Sequence, residues 1–202
     1  MNKNNINFFY TRKNNNYFFK NINMTLPKRK NIGGLRTRSI IKKNLYSRPL
    51  ISVIVATYNS EKHLEQCLQS ILKQTYQNFE IIVIDNQSTD KTLNIIKKYE
   101  KFIDIWISER DKGIFHAMNK GIKISKGKII SILNSDDYFF PNALKTVVKY
   151  FNNNLDVDFI FGTVKKNKIF SGFKPNKIRW KFNIYPTHSV GFFVKKKIHD
   201  KI

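Results

Sequence analysis

The chain has 202 residues, enough for one domain with a sizeable core or for one domain plus an appendage. Hydrophobic residues make up 41% of it, which suits a folded protein, and the net charge of +23 predicts attraction to an anionic partner: nucleic acid, an anionic membrane surface or a phosphate-bearing substrate. Its single cysteine, Cys67, excludes a disulfide framework within the chain, and no apolar run reaches the roughly 18 residues of a spanning helix.

The charge is uneven. Residues 1–48 hold 12 Lys or Arg, and no Asp or Glu precedes Glu61. This segment is rich in Asn and aromatic residues and lacks the continuous apolar core of a secretory signal. Gly33-Gly34 reads as a turn or flexible point, and residues 40–48 read as a basic linker. The expected organisation is a basic extension over 1–48 and a folded domain over 49–202.

From Pro49 the pattern changes. Leu50 to Ala56 is a short β-branched run, read as a buried strand. Glu61 to Gln74 has helical spacing, with Leu64, Cys67, Leu68 and Ile71 on one side, and Cys67 reads as a buried, inert thiol. Phe79 to Ile84 is a second strand closed by Asp85. Ser88 suits the cap of a helix over about 89–99. Ile103 to Ile107 predicts a third strand, Ile114 to Ile124 a helix, Lys128 to Leu133 a fourth strand and Asn142 to Phe151 a helix opened by Pro141. Two short strands are expected within 158–171. Strict alternation of buried strands and helices predicts an α/β fold, with a mostly parallel sheet flanked by helices. Ligands of such sheets bind beyond the carboxyl ends of the strands.

Polar residues gather at those ends. Thr57, Tyr58 and Asn59 follow the first strand, Asp85 the second, and Asp136-Asp137 the fourth. Adjacent carboxylates repel unless solvent, a base or a cation compensates, so Asp136-Asp137 is either a hard-cation site or a solvated turn. Asp85 either accepts hydrogen bonds from a nucleotide or forms an Asx-type turn. Arg110, Asp111, Lys112 and Gly113 precede a helix, where basic side chains and free backbone donors suit phosphate, or they form a charged surface turn. His188 is the strongest candidate among the histidines. His116 reads as structural or exposed, and His63 and His199 have no compelling context. Neither a phosphate-binding Walker loop nor a glycine-rich dinucleotide fingerprint occurs, and no Cys/His spacing supports zinc.

These residues fall in four ordered motifs. Residues 49–59, 84–90, 108–121 and 133–137 together resemble the family-two glycosyltransferases with a Rossmann-like GT-A fold, over about 49–194. Gly33-Gly34-Leu35-Arg36-Thr37 also resembles leaders of bacterial polysaccharide-building members. The resemblance implies that Thr57, Tyr58 and Asp85 hold the nucleotide base. It places Asp111 beside the nucleotide or diphosphate with Arg110 or Lys112 near, Asp136 at the ribose, and Asp137 on a Mn2+ or Mg2+ ion at the diphosphate. It sets His188 near metal or acceptor. The implied reaction is inverting transfer from a nucleoside diphosphate sugar, most commonly a UDP-sugar, to a hydroxyl of a glycan or lipid-linked acceptor. The family's carboxylate base is expected beyond residue 202, and Asp200 is a poor substitute. The domain is therefore expected to be C-terminally incomplete, with a donor-binding pseudoenzyme or truncated fragment as the alternative. A cytoplasmic location, with peripheral contact at an anionic membrane face, fits the basic extension. A nucleic-acid-binding module is a weaker alternative, since the cations are dispersed and no binding motif appears; no specific nucleic acid is expected.

Overall fold

The computed structural model describes residues 31–166, 169–171 and 189–199. Within the unit that begins at Asn31, the two most apolar runs form its centre. Strands β2 (Ile51–Thr57) and β3 (Phe79–Asp85) are buried at every position. They run parallel, in register from Ile51 opposite Phe79 to Thr57 opposite Asp85. Strand β4 (Ile105–Ser108) continues the parallel set beside β3, and β5 (Ile129–Asn134) does so on the other side of β2. Alternating with them are helices α1 (Leu64–Leu72), α2 (Thr92–Lys98), α3 (Ile114–Ile124) and α4 (Ala143–Asn153).

The edges run the other way. Strand β1 (Ile32–Gly33) pairs antiparallel with β4. Strand β9 (Phe192–Lys195) pairs antiparallel with β5, and β6 (Phe159–Phe161) with β9. The sheet order is β1-β4-β3-β2-β5-β9-β6, a mixed seven-stranded sheet. Strands β7 (Val164–Lys166) and β8 (Ile169–Ser171) form a separate hairpin, and the short helix α5 (Lys196–His199) follows β9.

Both sheet faces are covered. On one, Ile51, Val53, Val55, Ile81 and Val83 pack with Leu64, Leu68 and Ile71 of α1 and with Leu144, Val147 and Phe151 of α4. Each such side chain contributes about 1.5–3 kcal/mol by leaving water. On the other face lies α3, pressed so close that a Cβ on Gly121 would stand 2.3 Å from Cγ2 of Ile54. Only glycine allows that approach.

The folded unit starts earlier than the boundary expected at Pro49. Residues 31–48 form an arm bound to the sheet. Beyond β1, Leu35 N donates to Ile103 O at 2.9 Å and Arg36 N to Asp104 O at 2.8 Å. Gly33-Gly34 is therefore part of the strand and the 3-10 turn that follows it, over Leu35–Arg38. The arm also delivers two cations to buried carboxylates. Arg36 pairs with Glu80 of β3, and its other nitrogen donates to Ile124 O at 2.7 Å. Lys42 meets Asp104 at 2.9 Å. Burial raises the pKa of Asp104, and the Lys42 ammonium opposes that shift. The segment read as a linker also contains Asn44, whose side chain bonds Leu50 N, Lys128 N and Lys126 O. The early boundary was illegible because these partners lie far away in sequence.

The second helix also departs from expectation. It begins at Thr92, and Ser88 does not cap it. Ser88 Oγ instead donates to Asp85 at 2.5 Å, while Asp90 Oδ1 accepts from Thr92 N at 2.9 Å. The carboxylate of Asp85, closer to Ser88 than the helix start, takes the hydroxyl.

Replacing Arg36 by Met is expected to destabilise the fold by about 3–5 kcal/mol, because it leaves the Glu80 carboxylate buried without its cation. Urea denaturation should show a lower midpoint. The double variant Arg36→Met with Glu80→Gln should recover much of the loss, since no buried charge remains.

Candidate functional site

The four parallel strands end at one level, and the loops that follow them are tied together. Asn86 N donates to Thr57 O at 3.0 Å, joining the loops after β2 and β3. Asn59, in the left-handed conformation that asparagine tolerates, accepts from Thr89 N at 2.9 Å through its side chain. Ser60 Oγ and Ser135 Oγ lie 2.7 Å apart, linking the loops after β2 and β5. Asp111 N donates to Asn86 Oδ1 at 2.6 Å, adding the loop after β4. Each loop thus holds its neighbour.

Above the strand ends is a pocket of about 540 Å³. Thr57, Tyr58 and Asp136 line it, as do Asn86, Asn134 and the start of α3 at Gly113 and Ile114. Gly113 caps α3 at φ 107°, where a side chain would strain the backbone, and nothing lies within 4 Å of the place its Cβ would take. Tyr58 and Asp136 are exposed, while Thr57 is buried. The structure thus brings Thr57, Tyr58 and Asp136 together at one pocket.

Other expected residues stand back from the pocket. Asp85 is fully buried and accepts from Ser88 N at 3.1 Å, Ser88 Oγ at 2.5 Å and Ser108 Oγ at 2.6 Å. These bonds form an Asx-type turn, through which the carboxylate shapes the 85–88 loop. Asp111 also faces inward. Its side chain is inaccessible, with Lys120 Nζ at 2.5 Å and His116 Nδ1 at 2.6 Å. Arg110 and Lys112 are exposed and lie outside the pocket lining. Asp137 is half-buried in the same turn as Asp136; its N–H donates to Asn134 O at 3.0 Å. His188 lies outside the described residues, as does Asp200.

Three features escaped the sequence. Lys120 is buried on α3, bridging Asp111 and Glu109, the latter at 2.7 Å. It falls beside Gly121 on the inner face, a position that ordinarily excludes lysine unless paired. His116 is half-buried as Asp111's second partner. His63, just before α1, lines the pocket rim. The short spacing of His63 from the first strand end was the available signal.

Among the described residues, no group of three or more His, Cys, Asp or Glu is placed to hold a metal ion. The donor set at this edge is two adjacent carboxylates, Asp136 and Asp137, beside an open pocket. Oxygen ligands of this kind fit a hard cation whose remaining positions are filled by ligand phosphate and water. The pair also acts on the core below. Burial pushes the Cys67 thiol up, and the charges of Asp137 and Asp136 add to the shift.

A family model described as Glycosyl transferase family 2 matches residues 52–202. The chain belongs to this family. The uncharacterised glycosyltransferase MJ1057 of Methanocaldococcus jannaschii is 38% identical over 170 residues, covering 77% of this chain and 59% of the relative. Glycosyltransferase GlyG of Streptococcus pneumoniae is 38% identical over 116 residues, covering 56% and 38%. The chain thus spans little more than half the length of these curated relatives, or less. Among solved structures, S. aureus TarS 1-349 superposes with a TM-score of 0.63 at 25% identity, covering 75% of this chain and 48% of that TarS chain. The mannosyltransferase PcManGT of Pyrobaculum calidifontis gives 0.61 at 22% identity, covering 80% and 48%, a likeness of fold. The chain has the GT-A fold that its motifs implied.

Two outcomes check this geometry. Lys120→Met should cost about 3 kcal/mol or more in urea denaturation, since it strips two carboxylates of one buried cation. Cys67 should resist iodoacetamide at pH 8 in the native protein and react readily in urea, because only the thiolate attacks. A raised thiol pKa gives stability that is full below the unfolded value of about 8.5 and declines as pH rises beyond it.

Proposed function

We propose that this glycosyltransferase moves a sugar from a nucleoside diphosphate sugar to a hydroxyl of a glycan or lipid-linked acceptor, with inversion at the sugar carbon. The observation that carries the reading is the pocket at the ends of β2, β3 and β5, where Thr57, Tyr58 and Asp136 meet. Strand-end pockets of α/β sheets are where nucleotides bind. Tyr58 presents an exposed ring on which a base can stack, and Thr57 Oγ1 is buried without a hydrogen-bond partner.

Two relatives support the donor class. TarS has been crystallised in complex with UDP, at 25% identity and a TM-score of 0.60. WfgD of Escherichia coli, 32% identical over 136 residues and covered over 53% of its length, is named as a UDP-Glc:alpha-D-GlcNAc-diphosphoundecaprenol beta-1,3-glucosyltransferase. A UDP-sugar donor and a lipid-linked acceptor follow by analogy.

In this reading Asp136 orients the ribose, and Asp137 would hold a Mn2+ or Mg2+ ion. The ion supplies charge neutralisation for the departing diphosphate. The carboxylate of Asp85 serves the base side indirectly, by fixing the 85–88 loop. Lys120 fixes Asp111, and with it the loop that carries Gly113 to the pocket. In-line attack by a deprotonated acceptor hydroxyl gives inversion in one displacement. Peripheral contact with a cytoplasmic anionic membrane face fits the +23 net charge, each nearby Lys or Arg adding about 1 kcal/mol.

Calorimetry on the full chain with UDP, GDP and their sugar conjugates, with and without Mn2+, tests the reading. Binding should be nucleotide-selective and metal-dependent, and Asp137→Ala should weaken it at least about ten-fold. A folded chain that binds none of these ligands would overturn the proposal.

A further inference from the structure

The arm ahead of β2 carries apolar side chains that the fold does not use. Ile40, Ile41, Leu45 and Tyr46 are exposed, and Tyr46 stands wholly in solvent. Among the described residues twelve large apolar side chains are exposed, and four of them fall in this one stretch of seven residues. Single exposed apolar residues are ordinary, but several on one segment mark a contact surface.

The stretch is fastened where it lies. Asn78 Nδ2 donates to Arg48 O at 2.6 Å and to Lys43 O at 3.3 Å, and Leu45 N donates to Arg48 O at 3.3 Å. These bonds close a turn with Leu45 and Tyr46 in it. Lys42 meets Asp104 and also lies 5.4 Å from the centre of the Phe79 ring. The bonded groups hold the arm to the strand starts, while its apolar side chains face water.

The same stretch is cationic. No Asp or Glu precedes Glu61, and the carboxylates beside the arm are already engaged. Glu80 pairs with Arg36 and Asp104 with Lys42, while Glu100 accepts from Gly34 N at 3.0 Å and from the Trp106 indole at 3.3 Å. Arg38, Lys43 and Arg48 are exposed and form no ion pair among the described residues. Lys126 and Lys128, whose backbone the Asn44 side chain bonds, add two more exposed cations.

Apolar side chains interleaved with unpaired cations fit a bilayer surface. The cations meet headgroup phosphates, and the apolar groups enter the boundary with the acyl chains. Nucleic acid would engage the cations but leave two isoleucines and a leucine in water. A symmetric contact with a second copy would set like charges against one another. We infer that residues 38–48 form a membrane-docking surface for anionic lipid, with Ile40, Ile41, Leu45 and Tyr46 entering the bilayer and Arg38, Lys43 and Arg48 on its headgroups. The inference rests on the membrane contact proposed above and assigns it to a fixed surface instead of to net charge. Strands of seven residues separate this surface from the pocket by roughly 20 Å, so docking leaves the pocket clear.

The test is co-sedimentation of the full chain with vesicles of phosphatidylcholine, alone or mixed with phosphatidylglycerol, with thermal unfolding to verify that each variant folds. The unaltered chain should bind the mixed vesicles and not the neutral ones. Arg38→Gln, Lys43→Gln and Arg48→Gln combined should weaken binding about ten-fold or more. Lys97→Gln, Lys145→Gln and Lys149→Gln combined remove the same charge from exposed positions on α2 and α4 and should leave binding intact. Leu45→Ser with Tyr46→Ser, which alters no charge, should also cost about ten-fold. Because Cys67 is buried, Tyr46→Cys can be labelled selectively with nitrobenzoxadiazole, whose emission should shift to the blue on mixed vesicles. Equal losses in the two charge variants would overturn the inference and leave a contact made by net charge alone. Full vesicle binding by the Leu45 and Tyr46 variant, or a label that stays in water on bound vesicles, would overturn it too. So would a concentration-dependent mass that this variant abolishes, without vesicle binding, since the surface would then join two copies. A folded, unaltered chain that binds no vesicle would sink the membrane contact and this inference together, while nucleotide calorimetry still reports separately on sugar transfer.

Discussion

A carboxylate buried in the sheet sets the terms for one end of this protein. Glu80 lies on β3, next to the central strand, with 1% of its side chain exposed. It accepts from Ser52 Oγ of β2 at 2.5 Å and from Lys126 N, ahead of β5, at 2.6 Å, and it pairs with Arg36 of the arm. One anion therefore ties three parts of the chain at the strand starts. A charge in this position is tolerable only with its cation and its hydrogen bonds in place. The arm is thus bound to the fold by electrostatics as well as by the two-residue strand β1.

Fixing the strand starts also fixes the strand ends. β2, β3 and β5 are in unbroken parallel register, so their loops emerge side by side. The loops then brace one another through short polar side chains: Asn59, Ser60, Asn86, Ser88 and Ser135. Carboxylates act as internal ties in the same region. Asp85 takes three protein donors, and Asp111 takes Lys120 and His116. Asn59, Ser60, Asn86 and Ser135 line the pocket along with Thr57, Tyr58, Asn134 and Asp136, so part of the bracing faces the ligand space, while Asp85 and Asp111 lie outside the lining.

The charge of the extension also takes on a different character. Two of its 12 cations, Arg36 and Lys42, are spent inside the fold on Glu80 and Asp104. A count of lysines and arginines overstates what is free to meet an anionic surface. Both partners sit on or beside the sheet, and both lost their solvation on folding, which is why each drew a long basic side chain from the arm.

Much of this was written in the sequence. Two runs of apolar, β-branched residues, separated by helical spacing, determined the parallel centre of the sheet, because only buried strands between helix layers can use them. The motifs at 49–59, 84–90, 108–121 and 133–137 determined the family. Cys67, on the apolar side of its helix, was legible as an inert thiol for the same reason. Tertiary structure alone decided the rest. The antiparallel edges depend on β1 and β9, short strands whose partners are remote in the chain. The arm depends on Arg36 finding Glu80, 44 residues away. The direction in which Asp85 and Asp111 point depends on Ser108, Lys120 and His116, which no local pattern pairs with them. Periodicity records which side of an element faces the core; it does not record which polar atoms meet there, and that is settled only when distant segments compete for the same hydrogen bonds.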